Sequence, residues 1–294
     1  MHITAIVPIY NEEALLPFFL DYYTTFCNYI VFYDGMSTDR SREIVLDRIG
    51  KTPCHIELRV NQSIGTVDIY NEALADCPNQ SLHYIRTHGW RTVFPYRDDL
   101  PQWVLVVDCD EFVWHPLGVR QKLAAYEARN VGFPSPTNIQ MLSRKFPTHG
   151  TSLLTHQVVE GYIDRSFQGV KRLAFNAKLK GDFNFKEFGY RVPNENTMDD
   201  EPIKDRLKVL HYPKMGFKFF KDRIKDKGDR VSSHNHQFGL SYHYYDQASM
   251  TEADFENLYS HPGFVKNIHD STSYPSFCVL PHEVVDRPTD SPFN

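Results

Sequence analysis

Residues 103–116 read WVLVVDCDEFVWHP, five apolar positions that run into three acids, Asp108, Asp110 and Glu111, packed within four residues. A short apolar run rich in Val suits a strand covered on both faces. Like charges a few Å apart repel by several kcal/mol in a partly dry site. Three carboxylates at such a strand end therefore call for a divalent cation, a basic side chain or open water between them.

Upstream of this run, strand and helix signals alternate. Residues 3–10, ITAIVPIY, form a β-rich run ended by Asn11, a residue suited to cap a helix. Residues 12–26, EEALLPFFLDYYTTF, place apolar side chains at helical spacing with acids in the first turn. A second strand, YIVFYD (29–34), precedes a helix over 37–49 with Ser37 or Thr38 as cap, while Gly35 supplies the tight turn between them. HIELRV (55–60) alternates like a strand, and residues 66–77 read as a helix. Strands alternating with helices predict a parallel sheet with right-handed crossovers. Ligands of such sheets bind beyond the carboxyl ends of the strands. Three of those ends carry PIYNE (8–12), YDGMSTD (33–39) and DCDEF (108–112), all polar and all on one edge.

Beyond residue 116 the pattern predicts a helix over 118–130, a strand in 131–142, a helix over 152–164, a strand in 171–178 and another in 207–213. A basic helix follows in 214–230, and the tail from about 270 reads as surface-hugging or disordered. With 294 residues, 41% hydrophobic and 23% charged, the chain is long enough for one large α/β domain with a C-terminal elaboration. A net charge of −5 gives no global field that favours nucleic acid. Five scattered cysteines make neither a CxxC pair nor a disulfide framework, which fits a reducing compartment. No basic leader precedes the first strand and no apolar stretch approaches a bilayer span, so the expected address is cytoplasmic.

The chemistry is read from the strand ends. An Asp-x-Asp at the end of a buried strand puts Asp108 and Asp110 on the same side, and two carboxylates plus phosphate oxygens suit Mg²⁺ or Mn²⁺. Asp34 ends its strand where a carboxylate accepts hydrogen bonds from a base or ribose. The basic run 218–230 is first a solvated amphipathic helix face. Its functional alternatives are diphosphate contact by Lys214 or Arg223, or peripheral docking to an anionic membrane surface.

Taken together, VPIYNEE, FYDGMSTDRS and VVDCDEFV resemble the inverting family 2 glycosyltransferases, in particular a subgroup carrying DxDEF and a later HY-containing basic segment, here VLHYPKMGFKFFKDRIKDKG. The resemblance implies a GT-A fold, a Rossmann-like, mostly parallel sheet flanked by helices. It places a nucleotide-binding half in 1–115, an acceptor-side half in 116–230 and an extension over 231–294. It further implies that Pro8, Tyr10 and Glu12 line a nucleotide pocket and that Asp34 meets base or ribose. Asp108 would meet ribose or metal, Asp110 would be the main protein ligand of Mn²⁺ or Mg²⁺, and His211 would complete the metal or diphosphate site. The partners implied are a nucleotide-diphosphate sugar and a glycan, polysaccharide or glycolipid acceptor. Against the DDGSTD pattern, Gly35 stands for the second Asp and Met36 for the Gly. No ED pair marks the catalytic base. Glu160 and Asp164, four apart on the expected helix, are the candidates, with Glu187, Asp199 and Asp200 behind them.

A haloacid-dehalogenase-type phosphatase also uses a DxD after a buried strand, but near its N-terminus and with a small Ser or Thr following, where this chain has Phe112 and Val113. A sugar-nucleotide pyrophosphorylase would need a Gly-rich entry in place of VPIYNEE. A non-catalytic nucleotide-sugar or carbohydrate-binding module is the alternative outside enzymes.

Overall fold

The computed structural model describes residues 1–60, 85, 89–91, 93, 103–163, 173–178, 201–231 and 243–275. β1 (Ile3–Ile9), every residue of which is buried, leads through α1 (Leu16–Tyr23) to β2 (Tyr29–Asp34), and α2 (Ser41–Arg48) connects to β3 (His55–Val60). β2 lies parallel between β1 and β3, and β4 (Trp103–Val106) lies parallel on the other side of β1. The order β3-β2-β1-β4 runs outward from β1 and then returns to its opposite side. Such a reversal leaves a crevice outside the carboxyl ends of the two strands that flank it. Residues after β1 and after β4 therefore meet there.

The WVLVVDCDEFVW run does not stay in this sheet. It breaks after Val106, and β5 (Glu111–Trp114) starts a second one. α3 (Val119–Ala128), β6 (Thr137–Ser143), α4 (Leu154–Gln157) and β7 (Glu160–Tyr162) follow, and β8 (Ala174–Asn176) returns to the first sheet antiparallel to β4. β9 (Lys208–Met215) pairs between β5 and β6, α5 (Phe217–Asp229) leaves it directly, and α6 (His243–Ser249) and α7 (Glu252–Asn257) precede β10 (Phe264–Val265). The second sheet has the order β10-β7-β6-β9-β5, and of its pairings β6 with β9 is parallel. The architecture is α/β with a mostly parallel first sheet, as expected, while the mixed second sheet is an addition. One apolar cluster joins the two, from Ile3 and Val107 through Phe112 and Leu210 to Val265 and Tyr274.

Two α1 tyrosines fix β5 against the first layer. Tyr22 donates to the Val113 carbonyl (2.8 Å), and Tyr23 donates to the Glu111 carbonyl (2.7 Å) while accepting from the Val113 amide (3.0 Å). Both hydroxyls are buried, where an unpaired polar group would cost about 1–3 kcal/mol, so these bonds hold the acidic turn in register with α1.

Several local expectations change. α1 starts at Leu16, with Pro17 in its first turn, and no acid lies in that turn. Asn11 caps no helix. It adopts φ 53, and its Oδ1 accepts from the Thr38 amide (2.8 Å), tying the loop after β1 to the loop after β2. Met36, rather than Gly35, takes the left-handed conformation (φ 64) of that second turn. α2 begins at Ser41, whose amide donates to Asp39 Oδ1 (2.9 Å), so neither Ser37 nor Thr38 is its cap. Residues 152–164 are not one helix: α4 ends at Gln157, and Val158 is already extended. Two β-branched residues in succession favour the strand. Gly161 permits close packing there, since a Cβ at that position would lie 2.7 Å from the Gln140 carbonyl oxygen. In the tail, Asp270, Ser271 and Thr272 are exposed, in keeping with a surface-hugging path, and Tyr274 anchors it, buried and donating to the Ile268 carbonyl (3.1 Å). The helix expected over 66–77 lies outside the described residues. Among the described residues no helix is long and apolar enough to cross a membrane.

His115 closes the far end of β5. Its Nδ1 accepts from the Leu117 amide (3.2 Å), so Nε2 carries the proton and donates to the Asp205 carbonyl (3.3 Å). Burial, with Lys208 and Lys122 nearby, lowers its pKa from 6.5 to about 4. The folded state thus resists protonation that the unfolded chain accepts. Stability from this residue is complete above pH 6.5 and is lost as pH falls toward about 4. Urea midpoints measured across that window should fall further for the wild type than for His115→Gln.

Candidate functional site

The three acids that open the sequence problem have three different environments. Val107 and Asp108 have left the strand, and Cys109 and Asp110 form a turn, so strand alternation does not orient the two aspartates. Glu111 closes that turn: its Oε2 accepts from the Asp108 amide (3.0 Å), and its own amide donates to the Asp108 carbonyl (3.0 Å). Asp108 is half-buried at the crevice. Asp110 is 1% exposed.

What lies against Asp110 is basic. Arg223 Nη2 donates to Asp110 Oδ2 (2.8 Å), Lys227 Nζ stands 3.6 Å from the same oxygen, and His211 Nε2 stands 3.7 Å from Oδ1. Arg223 also grips Glu12 with both terminal nitrogens, Nη1 to Oε2 (2.7 Å) and Nη2 to Oε1 (2.8 Å). Burial alone would raise Asp110, but Lys227, Arg223 and His211 together hold it well below the usual carboxylate range. Glu12 moves the other way, because its burial outweighs the pull of Arg223 and the neighbouring Asp110 adds to the rise.

Local structure explains why these groups meet. Glu12 follows β1 and Asp110 follows β4, the two strands flanking the crevice. The Glu12 amide donates to Ser41 Oγ (2.7 Å), which fixes the loop to α2. Gly216, at φ 81, turns β9 straight into α5. Arg223, Lys227 and Arg230 recur at four- and three-residue steps and so share one face. Arg230 lies over the Tyr10 ring, 4.5 Å from its centroid, the third contact between the basic helix and the loop after β1.

At the other end of the crevice, Asp34 is fully buried at the close of β2. Its Oδ1 accepts from the Ser37 amide (3.1 Å), while Oδ2 lies 3.3 Å from Arg42 Nε yet accepts no hydrogen bond among the described residues. A buried carboxylate oxygen left in this state is suited to a donor brought by a ligand.

Of the other expected residues, Pro8 lies in β1, where it pairs with Tyr33. His211 lies opposite Glu111 in β9 and shares its Nδ1 with Gln140 Oε1 (3.0 Å). Lys214 is buried, its ammonium 5.8 Å from the Tyr162 centroid and 5.7 Å from that of Phe220. Glu160 sits in a strand, so the shared helix face argued for it with Asp164 does not exist. Register nevertheless places it usefully: Glu160 pairs with Leu142, Tyr162 with Gln140, and Gln140 with His211, so all lie on one sheet face. Two strand spacings separate Glu160 from β9, about 10 Å. Asp164, Glu187, Asp199 and Asp200 lie outside the described residues. Arg223 is one of the two basic residues the sequence offers for diphosphate contact, and Lys227 and Arg230 beside it are the main addition. The helical period across 218–230 contained the signal, but a basic helix face is more often solvated.

The residues around Asp110 do not fit a divalent ion as arranged. Among the described residues no group of three His, Cys, Asp or Glu side chains could hold one. An ion bound to Asp110 would stand about 4–5 Å from the Arg223 guanidinium, a repulsion on the order of 7 kcal/mol at an effective dielectric constant near 20.

No family model matches the chain, and no curated protein matches its sequence. Among solved structures, S. aureus TarS is similar at a TM-score of 0.38 and 13% identity over 86% of this chain, which spans 45% of that one. A crystal structure of S. aureus TarS 1-349 in complex with UDP-GlcNAc gives 0.38 and 13% over 88% of this chain and 70% of its own. Glucosyl-3-phosphoglycerate synthase from Mycobacterium tuberculosis, in complex with phosphoglyceric acid, gives 0.30 and 17% over 47% of this chain and 44% of its own. These scores are too low to bear on the activity, and the architecture rests on its own strand order.

Arg223→Leu should unfold at lower urea, with a loss of about 3–5 kcal/mol, because Glu12 and Asp110 are left buried without their shared cation. Adding Glu12→Gln and Asp110→Asn should recover part of that loss in the same measurement.

Proposed function

We propose that the protein is a glycosyltransferase that moves a sugar from a nucleotide-diphosphate donor to a hydroxyl of a glycan, polysaccharide or glycolipid acceptor. The observation that supports this best is the polarity of the crevice at the β1/β4 reversal. One end offers Asp34, with a buried oxygen that accepts no hydrogen bond among the described residues, and half-exposed Asp108 lies beside the turn at the other end. That other end presents the α5 cations. A nucleotide-diphosphate sugar has the matching ends, since base N–H and ribose hydroxyl groups donate to carboxylates while diphosphate oxygens accept from Lys and Arg. The resemblance of VPIYNEE, FYDGMSTD and VVDCDEFV to family 2 glycosyltransferases points the same way.

In this reading the acceptor oxygen attacks the anomeric carbon, its proton passes to a carboxylate, and the bond to the diphosphate breaks with its electron pair on the leaving oxygen. Fixed cations beside that oxygen stabilise the charge as it develops. Direct attack from the opposite face inverts the anomeric centre. Glu160 is the proposed base, on the same sheet face as His211 and two residues along β7 from Tyr162, the residue in register with it. The divalent ion expected from the resemblance enters no step here. The phosphatase reading is weaker, because its second aspartate must deliver a proton and Asp110 is held ionised.

A thermal-shift screen of nucleotide-diphosphate sugars should find a donor that raises the melting temperature of the wild type, and Asp34→Ala should abolish that rise. If no such compound stabilises the protein, the nucleotide-sugar reading fails. With the donor in hand, Glu160→Gln should leave its affinity unchanged and slow turnover by about a hundredfold or more. Unchanged turnover would place the base elsewhere.

A further inference from the structure

The basic residues on Asp110 bear directly on how a donor diphosphate is held. Sugar-nucleotide transfer needs positive charge beside the departing phosphates, and a divalent ion held by carboxylates is one way to supply it. Here the carboxylate best placed for that duty is already engaged. Asp110 Oδ2 has Arg223 Nη2 at 2.8 Å and Lys227 Nζ at 3.6 Å, and Arg223 is itself fixed by both oxygens of Glu12. The arrangement is braced rather than incidental, because the Arg223 side chain is only 10% exposed and its two partners leave different strands of one sheet. Lys227 is less enclosed, with 22% of its side chain exposed. Arg223 Nε is buried and has no hydrogen-bond partner among the described residues, a donor left over inside the cluster.

We infer that this chain binds the diphosphate of its donor without a divalent ion, the side chains of Arg223 and Lys227 on one face of α5 supplying the positive charge, with Arg230 at its C-terminal cap paired to Asp226 (2.7 Å). Asp110 and Glu12 then serve to position those cations rather than to ligate metal. The inference rests on the nucleotide-sugar reading above and sharpens it.

Calorimetric titration of the full chain with UDP, GDP, ADP, CDP and dTDP, in excess EDTA and again in excess Mn²⁺, tests it. At least one nucleoside diphosphate should bind in EDTA, with Mn²⁺ tightening its Kd by less than about threefold. Lys227→Ala, a substitution at a partly exposed position, should weaken that nucleoside diphosphate by about ten- to a hundredfold while leaving the corresponding nucleoside unaffected. Tightening by about threefold or more with Mn²⁺, or binding in Mn²⁺ alone, would overturn metal-free binding and leave the nucleotide-sugar reading in place. An unchanged nucleoside diphosphate affinity in Lys227→Ala would overturn the assignment of α5 as the cation source. No binding of any of the five under either condition would overturn this inference together with the reading it rests on.

Discussion

Arg223 between Glu12 and Asp110 is the constraint on which the architecture of the crevice depends. Its guanidinium joins the loop after β1, the turn after β4 and the helix that follows β9 through hydrogen bonds of 2.7–2.8 Å. Arginine suits this task because its planar fork meets carboxylates along fixed directions and stays charged when buried. A lysine in its place would be one point charge that could not grip Glu12 with two nitrogens while donating to Asp110. The two sheets share an apolar core, but apolar contact is non-directional. The buried ion triad sets how α5 lies over the strand ends.

The acidic turn shows how a short segment can divide its labour. Glu111 folds back on Asp108 and closes the turn, with its own backbone held by Tyr23 of α1. Asp110 goes inward to the cations, and Asp108 is left at the rim. Repulsion among the three carboxylates is relieved by separating them in direction and by giving Asp110, buried like Glu111, positive neighbours. Tyr22 and Tyr23 matter to the site although neither reaches it, because they fix the strand from which the turn hangs.

A similar economy governs the loops after β1 and β2. Asn11 and Met36 both adopt left-handed backbone, and each loop is bonded to the other, by Asn11 Oδ1 from the Thr38 amide and by Ser37 Oγ from the Asn11 amide. Left-handed backbone costs a residue with a Cβ about 1–2 kcal/mol, which Asn meets more readily than Met. The strain sits beside Asp34, whose amide-bonded oxygen helps hold the turn.

The sequence by itself determined the first sheet and its polar edge. Runs such as ITAIVPI, YIVFYD and WVLVV carry their strand character in local composition, and alternation with amphipathic helices dictates parallel pairing. Asp34, Asp108 and Asp110 were legible because they end those runs. Glu160 was legible as a candidate, though its strand was not, since β-branched neighbours and a close sheet contact overrode the helical spacing. Only tertiary structure decided that β5 would leave the first sheet, that Asp110 would face Arg223 and Lys227, and that Lys214 would settle against aromatic rings. The reason is distance along the chain. Arg223 lies 211 residues from Glu12 and 113 from Asp110, and no local pattern specifies which basic side chain on an amphipathic helix will be buried against which carboxylate. That choice falls to the packing of α5 over the reversal in strand order.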